Sequence, residues 1–313
     1  MKHSTKITTI LMLMFLVTQF IGLFVISVYN NQDNILPYSM EPPEEIQKAP
    51  NQAGTSILIA FVIAIALFFF LTKLKAEIFI RLWFYAVTAI AIGLALTAFL
   101  LYFKFTFYPA YIAIAIGIFL GYLKIFRKDL LVHNITELLI YPGIAAVFVP
   151  ILNVFWMIIL LLVISIYDIW AVWHSQFMEK MAKYQINKLQ FFTGFFIPYA
   201  DKKQKQKIKK IKQKYQAKGD KVLEKQFKKA KIKVNLAILG GGDVIFPIIT
   251  AGVFFKVYGL LPALIIIASA SIALLYLFIA AKKGKFYPAM PFLTIGMFLG
   301  MILTWTLMNL SIL

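Results

Sequence analysis

The sequence predicts an all-α polytopic membrane protein with nine transmembrane helices. Three observations predict it. Of 313 residues, 61% are hydrophobic and 14% charged, with a mean hydropathy of +0.83. A soluble core grows too slowly relative to its surface to hide that much apolar area. Apolar runs of about 20 residues, the length that crosses a hydrocarbon layer, recur along the whole chain. The basic residues, finally, cluster in alternate gaps between those runs.

In order, the spans are expected at about 7–29, 55–72, 78–103, 107–124, 134–151, 152–174, 235–255, 259–281 and 287–310. The first resembles a signal peptide in position. Its apolar stretch is long, however, and no small-x-small cleavage site precedes the polar Asn30-Asn31-Gln32-Asp33. It is therefore expected to remain as a helix. The fifth and sixth spans form one apolar run, too long for a single crossing, that Pro150 and Asn153 interrupt. Two helices joined by a tight turn are expected there. The chain thus divides into helices one to six over 1–174, a basic loop over 175–234 and helices seven to nine over 235–313.

Orientation follows from the lysines. With a cytoplasmic N-terminus and nine spans, the inner segments carry 29 of the 32 basic residues, eighteen of them lysines between 175 and 234. The outer side keeps Lys48, Lys104 and Lys256, and the first outer loop adds Asp33, Glu41, Glu44 and Glu45. This is the asymmetry of the positive-inside rule, with the C-terminus outside. The net charge of +19 is therefore read as contact with anionic lipid at the basic loop. Nucleic acid is not an expected partner, because the lysine run from Lys202 to Lys233 lacks Arg and has few aromatics. With no cysteine in the chain, disulfides, a thiolate nucleophile and cysteine-ligated metals are excluded.

Two acidic residues stand inside spans. Asp168 lies in Ile164-Ser165-Ile166-Tyr167-Asp168-Ile169-Trp170, and Asp243 follows Leu239-Gly240-Gly241-Gly242. A membrane-embedded carboxylate costs about 2.5–3.5 kcal/mol on the mildest insertion scale, so each marks a functional site. Glu77 and Glu137 lie nearer span ends, where headgroups or lysine are within reach. From its predicted helix boundary Asp168 is roughly 9 Å deep, and Asp243 roughly 13 Å, on consecutive antiparallel spans. Two carboxylates so placed can meet.

Such a pair has two chemistries open to it. It can bind protons or cations in a transporter or leak channel, and charge alone leaves this level with proteolysis. Alternatively, two carboxylates a few ångströms apart cannot both ionise and so share one proton. The ionised member can then take a proton from water while the other polarises a scissile carbonyl. No competing nucleophile stands out. The three histidines, His3, His133 and His174, lie near the inner boundary, and Ser165 lacks a credible base. Neither a metal nor another cofactor is expected, since the membrane region offers too few ligands. A transporter would also predict inverted repeats and polar-lined spans, and no convincing internal repeat is present. A prepilin-type peptidase, which also uses a glycine-flanked aspartate, has fewer spans.

Tyr167-Asp168 in one span and Gly240-Gly241-Gly242-Asp243 in the next resemble the Tyr-Asp and Gly-x-Gly-Asp motifs of the presenilin and signal-peptide-peptidase family. Pro288-Ala289-Met290-Pro291, opening the last span, resembles its Pro-Ala-Leu motif, with Met290 for the usual Leu, a nearly volume-conserving change. The resemblance covers nearly the whole chain and is closest to archaeal and bacterial presenilin homologues. It implies an intramembrane aspartic endopeptidase with Asp168 and Asp243 as the catalytic pair. Its substrates would be transmembrane segments of other proteins, and Pro288–Pro291 would lie beside the aspartates. Gly240, Gly241 and Gly242 are expected to let backbone approach closely. Tyr167 is expected either to hydrogen-bond near the pair or to stand as an aromatic at its side.

The basic loop divides in two. Its first part, with Phe177, Met178, Met181, Tyr184, Leu189, Phe192 and Phe196 among polar residues, is expected as an interfacial helix. The patch Phe191-Phe192-Thr193-Gly194-Phe195-Phe196 would cover the substrate entrance or dip into lipid. A prokaryotic plasma membrane suits the lysine-rich, cysteine-free composition, and the sequence leaves room for a homo-oligomer.

Overall fold

A computed structural model describes residues 5–31, 35–42, 50–74, 76–127, 129–174, 193–199, 204, 235–281 and 287–310. Among them are nine helices long and apolar enough to cross a membrane. They are α1 (Thr5–Tyr29), α2 (Pro50–Lys73), α3 (Glu77–Tyr102), α4 (Pro109–Phe126), α5 (Leu130–Phe148), α6 (Val154–Ile169), α7 (Gly241–Tyr258), α8 (Leu260–Ala280) and α9 (Met290–Asn309). A five-residue π-turn, Trp170–His174, extends α6. Two strands, β1 (Gly194–Tyr199) and β2 (Asn235–Gly240), pair in a small sheet.

Local chemistry sets the boundaries. The Asn153 side chain accepts the Trp156 amide at 2.9 Å and so starts α6 directly after the Pro150 break. Asp129 does the same for α5, accepting from Leu131 and Val132 at 2.8 and 3.2 Å. Pro109 opens α4, where its missing N–H costs nothing. One residue, Gly259, joins α7 to α8 with φ of +90°, a conformation that glycine adopts without strain.

Two compact units result, Met1–Phe195 with Gly240–Leu313, and Phe196–Leu239. In the first, α1 is central rather than peripheral. Leu11, Phe15 and Val25 are fully buried, and the helix packs on α5, α7 and α8. Helix α2 lies at the edge, meeting α3 and α6. Lipid is as apolar as leucine, so close helix contact in a bilayer depends on small residues and interhelical hydrogen bonds. Gly117 of α4 sits against the Ala89 carbonyl, and Gly143 of α5 against the Ala91 carbonyl. On α9, Gly296 and Gly300 meet Ser269 of α8.

Two expectations change. The seventh span was expected from residue 235, but Asn235–Gly240 is strand and the helix begins at Gly241. Glycine is the poorest ordinary helix former, so the Gly240–Gly242 run marks a helix start rather than an interior, and strand pairing engages the backbone before it. Phe196, expected on an interfacial helix, stands in β1; the others expected on that helix lie outside the described residues. Among the described residues the fold is thus all-helical in its spans, with one two-stranded sheet added.

Gly143→Val places methyl groups against a backbone carbonyl that cannot swing away. Overpacking of this kind costs about 1–3 kcal/mol. The variant is expected to melt at lower temperature in detergent than the parent protein.

Candidate active site

Asp168 lies in the last turn of α6, 5% exposed. Its Oδ2 accepts the Met290 amide at 3.0 Å, and the Ala289 amide donates to the same carboxylate. Met290 is the first residue of α9, and the first amides of any helix lack intrahelical acceptors. The carboxylate of one helix thus caps the N-terminus of another, where the helix dipole also favours an anion. One turn further in, the Ser165 and Thr294 hydroxyls are 2.7 Å apart and buried. Ser165 precedes Asp168 while Thr294 follows Met290, so α6 and α9 run antiparallel along this seam. Ser165 has no nucleophile's setting; it fastens two helices.

Asp243 is the third residue of α7 and is half-buried. Gly240 is its N-cap, and the Gly240 amide donates to the Asp243 carboxylate, the return arm of a capping box. The glycines are not equivalent. A Cβ on Gly240 would stand 3.0 Å from Asp243 Oδ2, and one on Gly241 would stand 2.9 Å from the Tyr141 hydroxyl. Gly242 is exposed and would meet only Phe246 at 3.8 Å, an ordinary contact. Four residues after Asp243, Pro247 lacks the N–H that would bond the Asp243 carbonyl. The next carbonyl, that of Val244, accepts from the buried Gln19 of α1 at 3.0 Å.

The structure brings Asp168 and Asp243 within coulombic range of each other, on α6 and α7 that touch each other and both touch α9. Gly240, Ala289 and Met290 join them through backbone amides, and Pro288 is buried just before. Tyr167 is half-buried. Its ring stands edge-on to Phe61 at 6.1 Å and tilted to Trp170 at 6.4 Å, and the residue is within range of the Asp168 charge. Asp243 lies in the first turn of α7, so the depth expected from a helix starting at 235 does not apply. Among the described residues no group of three or more His, Asp or Glu is placed to hold a metal ion.

Some buried polar residues were not anticipated. Glu137 and Lys124, expected near span ends, are 1% and 5% exposed and form an ion pair with each other. Their signal in the sequence is opposite charge near facing ends of consecutive spans. Tyr141, one turn past Glu137, and Gln19 carry no such signal, because polar uncharged residues are common in membrane helices.

The family model described as "Signal-peptide peptidase, presenilin aspartyl protease" matches residues 12–309. No curated protein sequence matches the chain. Two solved structures, both of a presenilin family intramembrane aspartate protease, are similar in fold. The first, in space group C222, has a TM-score of 0.59 at 17% identity, covering 96% of this chain and 99% of that one. The second, in space group P2, has a TM-score of 0.57 at 18% identity, covering 95% and 96%.

A double-mutant cycle on Ser165→Ala and Thr294→Ala measures the seam beside Asp168. Interhelical hydrogen bonds in membranes average about 0.6 kcal/mol, with a maximum of about 1.7. Unfolding titrations are expected to return a favourable coupling in that range.

Proposed function

The chain belongs to the signal-peptide peptidase, presenilin aspartyl protease family, and from this premise we propose that Asp168 and Asp243 are its catalytic pair. The family's chemistry is intramembrane aspartyl proteolysis, so this integral membrane protein has membrane-protein substrates. Family membership also separates proteolysis from the transport that the same two charges could serve.

One observation supports the assignment above the others. The two carboxylates come from different helices, lie within reach of each other's charge, and are each held by amides of a helix N-terminus. Held this way, the pair carries one proton and has its orientation set before substrate arrives. A water between the two gives up a proton to the ionised carboxylate as its oxygen attacks the scissile carbonyl carbon. The protonated carboxyl donates to the carbonyl oxygen, and a tetrahedral diol forms. The newly protonated carboxyl then gives its proton to the amide nitrogen while the other carboxylate takes a proton from a diol hydroxyl, and the C–N bond breaks to release acid and amine. The pair ends with one proton, as it began.

A helical amide in lipid is already hydrogen-bonded and shielded, so the substrate helix must open locally. Backbone at Gly240–Gly242 and Pro288–Pro291 is proposed to receive the opened strand, with Tyr167 beside it. Lysine placement supports an inside N-terminus and a site in the inner third of the bilayer. The same lysines would hold the loop over 175–234 at anionic headgroups, in a prokaryotic plasma membrane.

Purified protein in detergent is expected to cleave a transmembrane model substrate. Asp168→Asn and Asp243→Asn should each lower turnover on the order of 10⁴-fold or more. Retained cleavage in either variant would remove that residue from the chemistry. A pair that works with one proton also predicts a bell-shaped dependence of kcat/KM on pH; a flat profile between the limits of folding contradicts it.

A further inference from the structure

A second set of buried ionisable groups stands close to Asp243 and takes no part in the reaction as described. Its centre is Glu137 on α5, 1% exposed. The Glu137 carboxylate is ion-paired with Lys124 of α4, accepts the Gly194 amide at 3.3 Å, and has His133 Nε2 at 3.5 Å. His133 Nε2 is also 2.8 Å from the Gly194 carbonyl oxygen. A carbonyl only accepts, so Nε2 carries the hydrogen. Both backbone groups of Gly194 are therefore gripped from α5. Gly194 has φ of +141°, a conformation that other residues rarely adopt.

The grip continues toward the active site. The Phe195 ring, fully buried, packs edge-on to Tyr141 at 5.7 Å. Tyr141 lies one turn beyond Glu137, within range of the Glu137 and Asp243 charges, and its buried hydroxyl has no hydrogen-bond partner among the described residues. That hydroxyl faces Gly241 so closely that a Cβ there would come within 2.9 Å of it. Gly241 is the first residue of α7, two before Asp243.

An ion pair buried this deeply is a poor stabiliser. Its desolvation cost rivals its attraction, and well-packed apolar side chains of similar volume often serve stability as well or better. Its geometry, by contrast, is directional. We propose that Glu137 and Tyr141 are positioning residues for Asp243: Lys124, His133 and Gly194–Phe195 keep them in place, and the Tyr141 hydroxyl packs against the first turn of α7 at Gly241. The proposal rests on the assignment of Asp243 to the catalytic pair. A misplacement of about 1 Å can cost on the order of 10²-fold in rate, so the first turn of α7 is where such a brace would matter.

The test is steady-state cleavage of a transmembrane model substrate by the full chain in detergent, with thermal melting of the same samples. Tyr141→Phe keeps the ring on Phe195 and removes only the hydroxyl. It is expected to lower kcat about tenfold or more, with KM within about twofold and melting unchanged. Lys124→Met combined with Glu137→Leu removes both charges together. This double variant is expected to melt at or above the parent temperature and still lose kcat to a similar extent. A purely structural ion pair predicts the reverse, with kcat following stability back to the parent value. Unchanged kcat in Tyr141→Phe, or recovered kcat in the double variant, overturns the proposal. Asp168→Asn and Asp243→Asn are run alongside. If they leave cleavage intact, the catalytic assignment itself has failed; if they abolish it while Tyr141→Phe is fully active, only the positioning role has.

Discussion

A carboxylate among apolar helices persists only where hydrogen-bond donors meet it, because nothing in hydrocarbon replaces water. Here the donors are two helix beginnings. Asp168 takes amides from the start of α9, and Asp243 takes the amide that precedes its own helix. Helix N-termini have spare amides and a positive dipole end, so each relieves a need of the other. The surrounding contacts then have a common purpose. Ser165 with Thr294 aligns α6 and α9, and Gln19 ties α1 to α7 just past the aspartate. Both bonds lie within a turn of a carboxylate.

The same irregularities that anchor the acids leave backbone unpaired nearby. Pro247 leaves the Asp243 carbonyl without its helical donor. In lipid such gaps are tolerated where they are buried in protein or line a cavity, and they recur where membrane proteins act on a ligand. An opened substrate strand needs partners of this kind.

Much of this was legible in the sequence. Span number and order follow from hydropathy, since each crossing needs about 20 apolar residues. The turn at Pro150–Asn153 was readable because proline cannot continue a hydrogen-bonded run and asparagine caps well. Asp168 and Asp243 stood out because charge in an apolar run is costly. The start of α7 was misread, since Leu236-Ala237-Ile238-Leu239 is apolar whether it forms strand or helix, and only pairing with β1 decides. The Lys124–Glu137 pair was half visible as end-of-span charges. Its burial, and the packing of Tyr141 against Gly241 beside it, depend on how α4, α5 and α7 come together. No local pattern encodes that.

The central claim is that α6 and α7 present two side chains to each other at residues 168 and 243. The absence of native cysteine allows a direct measurement. Asp168→Cys with Asp243→Cys, treated in membranes with a short bifunctional methanethiosulfonate reagent, is followed by intact-protein mass spectrometry. One reagent bridging both thiols is the mass that this structure predicts, while Asp168→Cys paired with Val257→Cys, at the far end of α7, should give two separate additions. Two separate additions at 168 and 243 would mean that the aspartates do not face each other, and would contradict the account.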